Sequence, residues 1–379
     1  MAEGLGRAAA RHPNAPRHPA LPALRRESGT LDFRAARRRQ RRRAEVVGEV
    51  IPPLAPTFEA ALRDVRAQQP RFRCSAAAKL AEPPGDRRDE AVQGLLVLAK
   101  DEVGAVREAA YESLGALGAA EGLATLHEAF NDQHMGARQA AVLASGRVAA
   151  EDGVDAIATL LDDPRPEMRF SAIWTLSNLG AGHAGRIAQG LSDQDEEVRV
   201  LALECLGELG ATGYADSMAA LLEDPSDAVR FAAATALAAL GNGKGAPTLR
   251  DALDRPDRAF PAAIGLGDLG DRDSLDALQH LATRRWRSPI LRAAAARALV
   301  LLGDPVGIEV IRKLVRSWRI EARQYAVQLV GELGLTSLVP DLGRALRRSR
   351  KAERPVYETT LEQLAPKSAE AKTLLASLR

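Results

Sequence analysis

Apolar and polar positions along this chain follow one theme, restated about every thirty-one residues. Its clearest statement is AVREAAYESLGALG (105–118). Val106, Ala110, Leu114 and Leu117 are spaced 4, 4 and 3, so they fall on one face of a helix. EMRFSAIWTLSNLG (167–180), EVRVLALECLGELG (197–210) and AVRFAAATALAALG (228–241) repeat the pattern. The small residue at the Ala110 position lets a neighbouring helix come close. Gly115, inside the helix, carries a propensity cost of about 1 kcal/mol that close packing offsets. Gly118 suits the left-handed residue that ends a helix. A shorter apolar pattern precedes each copy, as in GLATLHEAFND (122–132) and GVDAIATLLDD (153–163), and predicts a partner helix. Asp163-Pro164 and Asp224-Pro225 close two of these partner helices, because Pro stops one helix and starts the next.

With the Arg of the Val-Arg pair as origin, copies fall at Arg73, Arg107, Arg138, Arg169, Arg199, Arg230, Ala259, Arg292, Arg323 and Arg354. The intervals run from 29 to 34 residues. Each unit is a helix hairpin whose apolar face is too small to stand alone, so stacking is required to bury a continuous core. The expected fold is all-α, a solenoid of about ten hairpins over residues 51–379 with a C-terminal capping helix. Composition agrees: 46% of residues are hydrophobic but only 4% are aromatic, which leaves Leu, Ala and Val to fill closely packed helices.

These copies resemble the HEAT-repeat family, and its short PBS-lyase HEAT-like form in particular. That form has an Asp in the turn inside each repeat, a Val-Arg pair opening the second helix, and then A-x-x-x-L-G-x-L-G. Asp101 with Val106-Arg107, Asp163 with Met168-Arg169, Asp193 with Val198-Arg199 and Asp224 with Val229-Arg230 match it. The resemblance spans roughly residues 57–365 and implies a right-handed α-solenoid with the second helices lining the concave side.

An Asp stands six residues before the next repeat Arg five times running: Asp101, Asp132, Asp163, Asp193 and Asp224, ahead of Arg107, Arg138, Arg169, Arg199 and Arg230. Stacking turns these residues into a structural ladder, with the carboxylate capping the second helix and the guanidinium spanning to the adjacent turn. A ladder of identical pairs has no means to make one rung an acid and another a base.

The ladder stops in the last three copies. At the same offset stand Trp286, Ser317 and Arg348, inside three basic clusters: Arg284, Arg285, Trp286 and Arg287; Arg316, Trp318 and Arg319; Arg347, Arg348, Arg350 and Lys351. Equal offsets in successive repeats lie side by side, so these clusters should form one patch about 20 to 30 Å long. Arg with Trp is the composition of binding hot spots and of surfaces that hold phosphate. Trp174, within a helix copy, is expected in the core.

Net charge is +2, but residues 1–50 carry +7, 51–80 carry +3, 81–280 carry −18 and 281–379 carry +10. Residues 1–50 contain HPNAPRHPALP and the run RAARRRQRRR (34–43), and are expected to be a disordered basic segment. The prevalence of Arg, Ala, Gly and Pro is the bias of a GC-rich genome, as in many bacteria. Cys74 and Cys205 show no CxxC spacing and are expected to be reduced and mostly buried. No apolar run of eighteen residues and no apolar leader is found, which makes the cytoplasm the expected compartment. His127-Glu128 occurs once, too little for a metal site built from repeated pairs, and no P-loop, GxGxxG or G-x-S-x-G is present. Neither a cofactor nor a small-molecule substrate is indicated.

Three functional readings follow. The first is a non-enzymatic scaffold whose C-terminal Arg/Trp patch docks a protein partner with an acidic surface. The second is nucleic-acid binding through the same patch, with the N-terminal arginines; the run containing Arg37 and Arg43 also suits an anionic membrane surface. The third is an accessory subunit of a bilin-lyase-type enzyme, which rests on the repeat subfamily alone.

Overall fold

The computed structural model describes residues 57–148 and 151–378, and the expectations placed on residues 1–50 lie outside them. Twenty-one α-helices and no strand occur among the described residues. They form ten hairpins and one terminal helix, within a compact unit spanning Leu54–Arg379. The clearest hairpins pair Arg88–Leu98 with Gly104–Ala116, and Leu275–Thr283 with Pro289–Leu301. Each second helix packs on the second helices before and after it, which is the contact pattern of an α-solenoid. Ala369–Ala376 lies against Arg354–Leu364 and follows the last hairpin, with the Ser368 hydroxyl accepting from the Ala371 amide at its N-terminus.

The sequence period translates directly into the core. Seven residues past each origin stand Leu80, Leu114, Leu176, Leu206, Leu237, Leu266, Leu299, Val330 and Leu361, all wholly buried. The third copy has Ser145 there, equally buried, and its hydroxyl donates to the Ala141 carbonyl at 2.9 Å. That bond satisfies the polar atom within its own helix. Gly115 is required by packing: a Cβ there would sit 2.7 Å from the Ala144 Cα in the next second helix. Gly210 has φ of +67° and ends its helix in the left-handed region, as does the glycine closing most copies.

In the third to sixth copies the first helix is short and ends in a 3-10 turn: Ala129–Asn131, Leu160–Asp162, Ala188–Ser192 and Leu221–Glu223. The residue after each turn is the ladder aspartate, so the tightened turn delivers Asp132, Asp163, Asp193 and Asp224 to equivalent places.

Trp174 departs from expectation, with 44% of its surface exposed. It stands five residues past Arg169, between the buried positions Ala172 and Leu176 and on neither. The second and fifth copies place the exposed Glu112 and Glu204 at that offset. Cys205 is buried, which pushes its thiol up to about 11, and Cys74 is half-buried. No helix among the described residues is long and apolar enough to cross a membrane.

Candidate partner-binding site

The ladder explains what the site lacks. In a complete rung the Arg of one repeat reaches forward to the Asp of the next. Arg107 donates from Nε and Nη2 to the two Asp132 carboxylate oxygens at 2.6 and 2.5 Å. Its Nη1 donates backward to the Asp101 carbonyl at 2.7 Å. Arg73 with Asp101, Arg169 with Asp193 and Arg199 with Asp224 repeat the two-pronged pairing at 2.6 to 3.0 Å. Each Asp also accepts a backbone N–H two residues on, as Asp193 does from Asp195 at 2.8 Å. The carboxylate thus caps the turn ahead of the helix rather than the helix itself; Asp195 is the residue that caps Glu196–Glu208. Burial works against the charged forms of Asp101, Asp132 and Asp193, yet the arginine and backbone hydrogen bonds outweigh it and hold all three below the ordinary carboxylate value.

One rung is rewired. Arg165 takes both oxygens of Asp163 at 2.8 Å, and Arg138 turns instead to Glu167 at 3.0 Å. Beyond the fifth Asp the arginines find other carboxylates. Arg230 pairs with Asp227 at 3.2 Å, within its own helix turn. Arg323 donates to Glu353 from Nε at 3.1 Å and from Nη2 at 2.5 Å. The expected loss of the acidic partner in all three last copies is therefore corrected: Glu353, five residues past the Asp position, supplies it to Arg323. Arg292 differs. Among the described residues it forms no ion pair, and its one hydrogen bond runs from Nε to the Ala282 carbonyl at 3.0 Å. Burial, and then the charge of Arg285, push its pKa below the ordinary arginine value.

Arg292 opens onto a cleft of about 530 Å³ between the eighth and ninth repeats. Arg285, Lys313, Ser317, Trp318 and Arg319 line the same cleft, with Thr283, Pro289, Val310 and Leu314. Four cationic residues line the cleft, and no carboxylate is among the lining residues. Trp318 is 82% exposed, and the Arg319 guanidinium lies 5.3 Å from its ring centre.

The cleft brings Arg285 from the first basic cluster together with Trp318 and Arg319 from the second. Arg284, Trp286 and Arg287 form a separate stack, with the two guanidinium groups 5.4 and 4.6 Å from the indole, and Trp286 is 68% exposed. Neither Trp covers the core. Arg316 is committed elsewhere: with Arg344 and Arg312 it surrounds the buried Asp341, donating from Nε at 2.9 Å. Arg347, Arg348, Arg350 and Lys351 are exposed and do not line the cleft. Arg292 and Lys313 were missed by cluster spacing. Arg292 carried a readable signal, since it is a ladder arginine whose forward partner position holds Ser317. Lys313 follows Arg312 in the last turn of Pro305–Val315, outside the three basic clusters, and gave none. His127 packs its ring 5.4 Å from that of Phe130.

The family model for HEAT repeats matches residues 55–144, 123–185 and 184–261, and the model for the PBS lyase HEAT-like repeat matches residues 291–317. No curated protein matches the chain. Among solved structures, the Kap95:Nup1 complex aligns with TM-score 0.55 at 12% identity, covering 90% of this chain and 54% of its own. YibA of Escherichia coli aligns with TM-score 0.52 at 16% identity, covering 73% and 99%. The phycocyanin lyase complex of CpcE and CpcF from Nostoc sp. PCC7120 aligns with TM-score 0.46 at 22% identity, covering 60% and 94%. For the Kap95:Nup1 complex and YibA the likeness, at these identities, is one of fold.

Proposed function

The chain belongs to the HEAT-repeat family, and from that premise we propose that it is a cytoplasmic, non-enzymatic scaffold that docks an acidic protein partner on its last three repeats. The cleft carries this reading: Arg285, Arg292, Lys313 and Arg319 converge with no carboxylate among the lining residues, beside an exposed indole. Unpaired cations held next to an aromatic anchor are the chemistry of an interface hot spot for an anionic partner. The Kap95 solenoid, of similar fold, is seen in complex with Nup1, so this architecture accommodates a protein partner.

The test is charge reversal in the triple variant R285E/R319E/R348E. Arg316 is left alone because its removal would strand the buried Asp341. Affinity capture followed by mass spectrometry should lose acidic partners that the unaltered chain retains, with both proteins melting at the same temperature. An unchanged set of partners contradicts the scaffold reading.

A second reading is favoured by one observation. Trp286 and Trp318 are both exposed with arginines stacked on them, which is an arrangement that suits unpaired bases. Retention on heparin, with affinity falling steeply as salt rises, supports that reading. No gel shift at low salt removes it.

A further inference from the structure

We infer that the cleft between the eighth and ninth repeats is a seat for a phosphoryl group carried on a segment of the partner protein, an inference that rests on the scaffold reading above. Four observations carry it.

The first is that the turn at Ser317 is a ladder turn with one function removed. The Ser317 hydroxyl accepts the Arg319 N–H at 3.2 Å, as Asp193 accepts that of Asp195 at 2.8 Å. Arg323 Nη1 donates to the Ser317 carbonyl at 2.6 Å, as Arg107 Nη1 does to that of Asp101 at 2.7 Å. Serine keeps the backbone part of the aspartate's role. It lacks the second oxygen that would reach the preceding arginine.

The second is that Arg292 is affected by this loss. Every other ladder arginine with a repeat stacked after it pairs with a carboxylate. Arg292, among the described residues, does not.

The third is the company Arg292 keeps. Arg285, Lys313 and Arg319 reach the same cleft from three different helix ends or turns. Like charges held together in a partly enclosed space repel, and an anion between them relieves that repulsion.

The fourth is stoichiometry. A carboxylate offers one negative charge and two oxygens. A phosphoryl group offers a charge of about −1.5 to −2 at pH 7 and three strong acceptor oxygens, closer to the demand of four cations. The cleft, at about 530 Å³, exceeds a phosphoryl group and leaves room for the side chain bearing it, with Val310, Leu314 and Trp318 as apolar wall. The size of the cleft favours a protein-borne group over a free phosphate ion.

The experiment titrates the full chain with three probes, the pentapeptide Gly-Ala-phosphoserine-Ala-Gly, its unphosphorylated counterpart and inorganic phosphate, and adds single-stranded DNA as a competitor of the bound phosphopeptide. It is repeated on S317D, which restores the missing carboxylate from within the chain. The phosphopeptide is expected to bind at least ten-fold more tightly than its counterpart and more tightly than inorganic phosphate. S317D should weaken it at least ten-fold while melting at or above the temperature of the unaltered chain, so a folding defect cannot account for the loss. Equal affinity for the two peptides, or undiminished binding to S317D, overturns the inference. So does inorganic phosphate binding as tightly as the phosphopeptide, and so does single-stranded DNA displacing the peptide at far lower concentration. Failure here is distinguishable from failure of the scaffold reading. If R285E/R319E/R348E loses its partners while S317D keeps them, the phosphoryl seat falls and the scaffold stands. If the triple variant keeps them while S317D loses the phosphopeptide, the scaffold falls.

Discussion

The second to sixth repeats and the eighth to tenth repeats share one hairpin but use its turn differently. In the first group an Asp fills the turn, and rungs such as Arg169 with Asp193 are buried on both sides, with side chains 6% and 8% exposed. In the second group Trp286, Ser317 and Arg348 stand at that position, and the surface carries +10 over residues 281–379 against −18 over residues 81–280. The same offset that stitches repeats together in one half carries no aspartate in the other, where the proposed docking surface lies. A repeat protein can do this locally because each unit depends chiefly on its neighbours.

Acid should separate the two groups most widely. Asp101, Asp132 and Asp193 are held below their ordinary values, so their contribution is complete above about pH 4 and disappears as pH falls through the depressed folded values. Hydrogen exchange on acidification should open the second to fifth repeats before the eighth, whose turn holds Trp286 in place of the ladder Asp. Simultaneous opening would count against the ladder as the stabilising element.

Removing a single rung should be next in size. D193A leaves the buried Arg169 without its partner and should cost about 3–5 kcal/mol in urea unfolding. Overpacking ranks third. G115L forces a side chain against the Ala144 backbone and should cost about 1–3 kcal/mol, read from the shift in melting temperature. In the basic group the sign reverses: S317D should stabilise by about 1.5 kcal/mol, because it gives Arg292 a charged hydrogen bond. The smallest effect belongs to R285A, an exposed residue with no carboxylate partner among the described residues, whose unfolding free energy should change by less than about 0.5 kcal/mol.

The repeat period, the helix faces and the ladder aspartates were legible because each depends on spacing within about one repeat. Leu114 and Leu206 are buried for the same reason their spacing predicts it. What escaped depends on side-chain reach between repeats. Nothing in spacing shows that Arg165 captures Asp163 and sends Arg138 to Glu167. Asp341 sits twenty-five residues from Arg316, and only stacking reveals that it neutralises part of the supposed patch. Glu353 substitutes for an aspartate from a different offset because its longer side chain is bound at a different point of the turn. Trp174 was placed by its hydrophobicity, while its offset from Arg169 determines that it faces outward.

The central claim is that Arg292 and Ser317 are the two halves of a rung from which one carboxylate is missing. A double-mutant cycle measures it: urea unfolding of the unaltered chain, S317D, R292A and the double variant. Restoring the rung predicts a favourable coupling of about 1.5–3 kcal/mol between the new Asp and Arg292. Additive effects, with the same change from S317D whether or not Arg292 is present, would contradict it.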